Sequence, residues 1–326
     1  MLVDQFNRVH DYLRISLTDR CDLRCFYCMP EEHYSFTPSP QLMQAEEAEA
    51  LAKIFVLEGV RKIRLTGGEP LVRKDFTSIL ERLGNLGVQL TLTTNGTRLG
   101  AIAEQVRSAG IRSLNISLDT LDRNRFQMIT RRDLHTQVME SIDRMLELGI
   151  GVKVNVVVMR GINEQEVVDF IRWTKDTPVH VRFIEFMPFE GNRWNQEKVV
   201  SLKEIIARAQ EEFDLVPLER EKHETAKKFI VPGHQGTFAV ISTMTAPFCG
   251  DCNRIRLTAD GKLKNCLFST TETDLLTAFR QGLDIRPLIY ENIRSKKAAL
   301  GGQFTADLDR VEVEQLENRS MIRIGG

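Results

Sequence analysis

Residues 12–28 read YLRISLTDRCDLRCFYC. Leu13, Ile15 and Leu17 alternate with Arg14, Ser16 and Thr18, the period of two that sends successive side chains to opposite faces of a strand. This strand, Tyr12–Leu17, runs into Cys21, Cys25 and Cys28 at C-x3-C-x2-C spacing. The same alternation returns down the chain. At Lys62–Thr66, Lys62, Arg64 and Thr66 oppose Ile63 and Leu65, and at Val88–Thr94, Thr91 and Thr93 oppose Leu90 and Leu92. At Ser113–Leu118, Asn115 and Ser117 oppose Leu114, Ile116 and Leu118. At Val152–Val158, Lys153 and Asn155 oppose Val152, Val154 and Val156, and a sixth strand is expected at His180–Phe186.

Helical spacing of apolar residues fills the gaps, as at Ala45–Glu58, Phe76–Leu86 and Val138–Leu148. Gly59, Gly87, Gly110 and Gly149 stand where helices should stop. Strand–helix alternation of this kind predicts an α/β protein with a parallel array. Six units are fewer than the eight of a closed barrel, so the expectation is a partial (β/α)6 TIM-like barrel. After Pro188 the rhythm changes; a helix is expected at Ser201–Phe213, with Ser201 as N-cap and Glu204 completing a capping box. The expected division is a partial barrel over 1–214 and a smaller C-terminal domain over 215–326, packed against the barrel's open side.

In a βα array the helices cover the apolar face, which leaves the polar face to the interior. That interior would hold Arg14, Lys62, Arg64 and Lys153, where barrels ordinarily carry branched aliphatics. Unpaired buried cations cost several kcal/mol each, so a wet cavity that takes an anion is expected, and a polyphosphate fits. With 326 residues, 42% hydrophobic and 27% charged, the chain reads as soluble and globular. A net charge of −1 argues against nucleic acid and membrane surfaces as partners. Neither a signal peptide nor a membrane span is apparent, and unpaired clustered cysteines point to a reducing cytoplasm.

The 6 cysteines fall into two triplets, the second being Cys249, Cys252 and Cys266. Three thiolates stop one short of the four that close a zinc site or a wholly cysteine-held iron–sulfur cluster. An open coordination position is where chemistry happens. Arg254 and Arg256, on alternate positions beside Cys252, suggest a grip on phosphate.

The first triplet, with Tyr27 just before its last cysteine, resembles the radical S-adenosylmethionine (SAM) superfamily. Gly67-Gly68-Glu69-Pro70 at the end of the second strand and Asn115–Asp119 at the fourth agree with it. The run Phe248-Cys249-Gly250-Asp251-Cys252-Asn253-Arg254-Ile255-Arg256-Leu257, with Cys266 and the closing Gly325-Gly326, narrows the resemblance to the GTP 3',8-cyclase (MoaA) family of molybdenum cofactor biosynthesis, over nearly the whole chain.

The resemblance implies a lyase that converts GTP to (8S)-3',8-cyclo-7,8-dihydroguanosine 5'-triphosphate with two [4Fe–4S] clusters and S-adenosylmethionine. Cys21, Cys25 and Cys28 would hold one cluster; Cys249, Cys252 and Cys266 would hold the other, whose open iron would meet the guanine end of GTP. Tyr27, Gly68, Ser117 and Met187 are expected at the SAM site. Arg14, Arg64, Thr93, Lys153, Arg254, Ile255 and Arg256 are expected at the GTP site, with Lys62 and Arg182 as further phosphate ligands. Arg14, Arg254, Arg256, Gly325 and Gly326 are expected to serve catalysis. A flavodoxin-like electron donor, a downstream pyranopterin monophosphate synthase and a homodimer are the implied partners. The competing readings are a peptide-modifying maturase with an auxiliary cluster and a non-catalytic metal or iron–sulfur sensor.

Overall fold

The computed structural model describes residues 1–31, 34–304 and 318–325. Strands β1 (Tyr12–Ser16), β2 (Lys62–Thr66), β3 (Gln89–Thr94), β4 (Ser113–Ser117), β5 (Gly151–Val158) and β6 (His180–Glu185) pair in sequence order, all parallel. Helices α1 (Ala45–Leu57), α2 (Phe76–Gly84), α3 (Ala103–Ser108), α4 (Arg123–Thr130), α5 (His135–Glu147) and α6 (Val167–Trp173) lie between them. Each expected strand is present to within a residue at either end. The four glycine stops all have positive φ.

The parity of the strands sets the layers. Leu13, Ile15, Ile63, Leu65, Leu92, Leu114, Ile116, Val154, Val181 and Phe183 are sealed in one core with Leu51 and Phe55 of α1, Leu80 and Leu83 of α2, Ile142 of α5 and Phe170 of α6. Fully burying a Leu, Ile or Phe side chain contributes roughly 1.5–3 kcal/mol, so the helix-covered face holds the array together. The opposite face is left free to be polar.

Beyond β6, α7 (Leu202–Gln210) starts at the Ser201 N-cap, and the capping box with Glu204 forms as the sequence indicates. The rest of the chain contributes β7 (Val216–Pro217), β8 (Lys227–Ile230), β9 (Thr237–Ile241), β10 (Arg254–Leu257), β11 (Lys262–Lys264) and β12 (Thr273–Asp274). Among the described residues three α-helices follow, α8 (Leu275–Arg280), α9 (Arg286–Arg294) and the short α10 (Met321–Ile324).

These strands do not form a layer of their own against an open side. β9 pairs parallel with β6 and β10 pairs parallel with β1, so one sheet runs β12-β11-β10-β1-β2-β3-β4-β5-β6-β9-β8-β7. Phe238, Val240, Ile255, Leu257 and Leu263 join the same core as β1–β6. Without them β1 and β6 would expose rows of unpaired backbone groups. The expected boundary at residue 214 falls in the loop between α7 and β7. No described helix is long and apolar enough to cross a membrane.

Candidate active site

The loop after β1 carries the first cysteine triplet and is fixed from two sides. Gly68 N–H donates to Thr18 O (2.6 Å) and Glu69 N–H to Arg20 O (2.7 Å), laying the Gly67–Pro70 turn along the approach to Cys21. A Cβ on Gly68 would sit 2.6 Å from the carbonyl oxygens of Asp19 and Arg20, so only glycine lets the two backbones touch. Glu69, fully buried, accepts from the backbone N–H of Leu71 and Asn95 and from Thr94 Oγ1. Asn95 in turn donates to Asp22 Oδ1 (2.8 Å) and to Cys21 Sγ (3.7 Å). From the other side, Arg24 and Phe26 donate their N–H groups to Thr130 O and Ile129 O at the end of α4.

Burial, together with Glu69, holds the Cys21 thiol well up; burial, with the neighbouring thiols and Asp119, does the same to Cys25. Burial and Asp119 push Cys28 up to about 12. The three lie within electrostatic range of one another. Among the described residues no three His, Cys, Asp or Glu side chains stand close enough to hold a single metal ion. Three buried thiols on one short loop, too far apart to share a single ion and without a fourth donor among the described residues, fit a cluster that spreads its sulfur ligands over several irons. Bound iron would also keep deprotonated the thiolates that this site otherwise disfavours.

Around this loop stand the residues expected at the SAM site. Tyr27 donates to Asp119 Oδ2 (2.6 Å), whose other oxygen accepts Val157 N–H (2.9 Å), and its ring packs edge-on against Phe186. Ser117 ends β4, and Gly68 follows β2. Met187 departs from the group: it packs with Phe189, Met244 and Phe268, in the apolar cluster that takes in Cys249 and Cys266. Its neighbour Phe186 is the one that reaches Tyr27.

The second triplet is assembled by a hairpin. Cys249 and Cys252 flank a short turn just before β10, and Cys266 comes just after β11, which returns antiparallel with Arg256 opposite Lys264. Its electrostatics differ from those of the first at Cys252. Burial raises the Cys249 thiol. Burial would raise Cys252 too, but Lys296 and Arg254 outweigh it and bring that thiol down to about 6.

Between the triplets the polar sheet face gathers its cations in register. Arg256, Arg14 and Arg64 occupy one row across β10, β1 and β2, and Arg254, Tyr12 and Lys62 the row before it. Further across, Thr93, Asn115 and Lys153 share a row, and Arg182 stands opposite Asn155. Arg64 donates to the Tyr12 hydroxyl and to Thr93 Oγ1 (3.2 Å), Arg182 to Asn155 Oδ1 (2.6 Å), and Lys62 lies over the Tyr12 ring (4.9 Å). Burial and mutual repulsion lower these cations: Lys153 to about 8, Arg182 to about 9, Arg256 to about 10, and Arg14 well below its usual value. Asn115 Oδ1 and Arg182 Nε are buried without a partner among the described residues. A polyanion entering this face would relieve both the repulsion and the orphaned donor.

Ile255 is a correction. Its side chain is fully buried in the aliphatic core, on the opposite face of β10 from Arg254 and Arg256, and cannot reach a ligand there. Gly325 lies on the polar face, its carbonyl accepting from Arg256 Nη1 (2.6 Å). Gly326 lies outside the described residues. Tyr12, Asn95 and Asp119 had no separate assignment from sequence. Tyr12 shares strand parity with Arg14, and Asp119 closes the Asn115–Asp119 motif, so both had a signal; Asn95 is defined only by contacts across the fold.

Two family models cover this chain, one described as radical SAM superfamily over residues 15–174 and one as molybdenum cofactor synthesis C over residues 179–301. The chain is 47% identical to GTP 3',8-cyclase, mitochondrial, of Arabidopsis thaliana, over 100% of its own length and 84% of the relative's. It is 44% identical to the GTP 3',8-cyclase of Thermodesulfovibrio yellowstonii, over 90% of this chain and 94% of that one. Molybdenum cofactor biosynthesis protein 1 of Mus musculus is 47% identical over 99% of this chain, which spans 51% of that longer protein. Among solved structures, Streptococcus suis SuiB bound to S-adenosylmethionine superposes with a TM-score of 0.61 at 16% identity, over 89% of this chain and 69% of SuiB, a likeness of fold.

Proposed function

The chain belongs to the GTP 3',8-cyclase family of the radical SAM superfamily, and from that membership we propose that its polar sheet face binds GTP between two iron–sulfur sites. The observation that carries the reading is the gathering of Arg14, Lys62, Arg64, Lys153, Arg182, Arg254 and Arg256 on one face, flanked by two cysteine triplets. Cys21, Cys25 and Cys28 would hold a [4Fe–4S] cluster which, with S-adenosylmethionine, would supply the radical chemistry that joins C3' of GTP to C8.

The residues of the chain bind and orient. Tyr27, in the loop after β1, Gly68, just past β2, and Ser117, at the end of β4, hold S-adenosylmethionine beside Cys21, Cys25 and Cys28. Lys62, Arg64, Lys153 and Arg182 take the triphosphate through charge-assisted hydrogen bonds, with Thr93 beside them. Arg14, Arg254 and Arg256 bridge toward the second triplet, where the guanine end would lie. Gly325 covers the polar face next to Ser16 and Thr66, and so helps exclude water. A flavodoxin-like protein is the proposed electron donor, and a pyranopterin monophosphate synthase the consumer of the product. Free, clustered cysteines suit a reducing compartment such as the cytoplasm, and the exposed apolar Met1, Phe6 and Val9 suit a homodimer contact.

The test is anaerobic loading with iron and sulfide, then incubation with S-adenosylmethionine, reductant and GTP. Appearance of 5'-deoxyadenosine together with a cyclised nucleotide is expected. 5'-Deoxyadenosine without any GTP-derived product would overturn the assignment.

A further inference from the structure

Lys296, in the segment after α9, is 2% exposed, and its ammonium donates to two acceptors. One is Cys252 Sγ at 3.5 Å, the other Arg254 O at 2.9 Å. Cys266 is also within its electrostatic range. The segment is strapped in place by the N-terminus. Gln5 Nε2 donates to Lys296 O (2.9 Å), while Arg8 donates to Lys297 O (2.8 Å), Ala298 O (2.7 Å) and Cys249 O (2.9 Å). Asp4 pairs with Arg8 Nε at 2.6 Å, meets His10 Nε2 at 3.0 Å and accepts the backbone N–H of Phe6 and Arg8. Among the described residues Lys296 donates to no carboxylate. At the first triplet the charges that act on the thiols are carboxylates, Glu69 and Asp22 on Cys21 and Asp119 on Cys25 and Cys28, while Arg24 donates to the Cys21 carbonyl and not to a sulfur.

We propose that Lys296 is a positioning residue of the second iron–sulfur site, which holds Cys252 and the Arg254 backbone together and raises that cluster's reduction potential above what the cysteines alone would give. A buried positive charge donating to a ligand sulfur stabilises the reduced cluster, which is more negative by one electron, relative to the oxidised one. The two sites are thereby made unequal by the chain: carboxylates act on the thiols of the one that must hold a strong reductant, and an ammonium donates to a thiol of the one beside the substrate cations. The inference rests on the reading that Cys249, Cys252 and Cys266 hold a cluster.

The experiment is a dithionite redox titration followed by electron paramagnetic resonance on the full-length loaded protein. S-adenosylmethionine identifies the first cluster, whose signal it alters. In Lys296→Met the second cluster's midpoint should move to a more negative potential while the first stays put, and Lys296→Arg should restore most of the difference. An unmoved second midpoint in fully loaded Lys296→Met protein overturns the proposal, as does an equal shift of both clusters. If Lys296→Met does not retain the second cluster, retention in Lys296→Arg supports the role of the charge, and loss in both variants overturns it. Wild-type protein that loads only one cluster would instead overturn the underlying reading.

Discussion

Arg256 Nη1 donates to the carbonyl oxygen of Gly325 at 2.6 Å, joining β10 to the last described residue of the chain. Gly325 has φ +87, and a Cβ there would meet Thr66 Oγ1 at 2.6 Å and Ser16 Cβ at 2.9 Å. The tail is seated by Arg319, which pairs with Asp260 (2.9 Å) and Glu272 (2.6 Å), and by Arg323, which donates to Ser35 O (2.7 Å). A residue far along the chain is therefore fitted into the floor of the cation-lined face.

Gly325→Ala should impair cyclisation selectively. The left-handed backbone alone costs a non-glycine residue roughly 1–2 kcal/mol, and the contacts with Ser16 and Thr66 add to it. A fall in cyclised product of about tenfold or more is expected, with formation of 5'-deoxyadenosine and the unfolding midpoint nearly unchanged. Product analysis by chromatography checks it; a parallel loss of 5'-deoxyadenosine would count against a tail role confined to substrate.

Lys153→Ala and Arg256→Ala should each weaken GTP binding. A hydrogen bond to a charged group is worth about 1.5–3 kcal/mol, so dissociation constants should rise roughly 10- to 100-fold. S-adenosylmethionine affinity should not move. Calorimetric titration of each ligand separates the two, and unchanged GTP affinity would remove the cationic face from the binding site.

GTP affinity should also fall with alkaline pH. Burial, followed by Arg182, Arg64 and Lys62, holds Lys153 down to about 8 in the free protein. A lowered lysine loses its proton, and with it its attraction for phosphate, as pH rises through that value. The dissociation constant should therefore increase from pH 7 to pH 9, and Lys153→Arg should flatten the profile. A flat wild-type profile would show that Lys153 stays charged throughout.

Cys266→Ala should halve the iron taken up, from about eight to about four per chain. Cyclisation should be lost while reductive cleavage of S-adenosylmethionine persists. Iron and sulfide assays give the first result and product analysis the second; wild-type iron content would move the second cluster elsewhere.

Much of the fold was legible because strand parity is local. Ile15 and Arg14, or Val154 and Lys153, are neighbours in sequence, so their opposite faces follow from the period of the strand alone, and the cationic face with it. The cysteine triplets and the capping box at Ser201 are local in the same sense. What pairs with the edges of the parallel array was not, because α7, β7 and β8 lie between β6 and β9, the whole array lies between β1 and β10, and neither strand carries a mark of its destination. The placement of Met187 with the second triplet likewise follows from how chain segments pack, whereas that of Ile255 in the core follows from the parity of Arg254 and Arg256 on either side of it.

By itself the sequence determined the parallel α/β array, the two three-cysteine sites and the polar face between them, since each is written in short-range periodicity or spacing. Only the tertiary structure decided that Lys296 meets Cys252, that Arg8 straps the N-terminus to Cys249 O, and that Gly325 seats on Arg256. Those contacts join residues dozens to hundreds of positions apart. Their energy comes from burying and pairing charge in the folded chain, which has no trace in the local pattern that reports it.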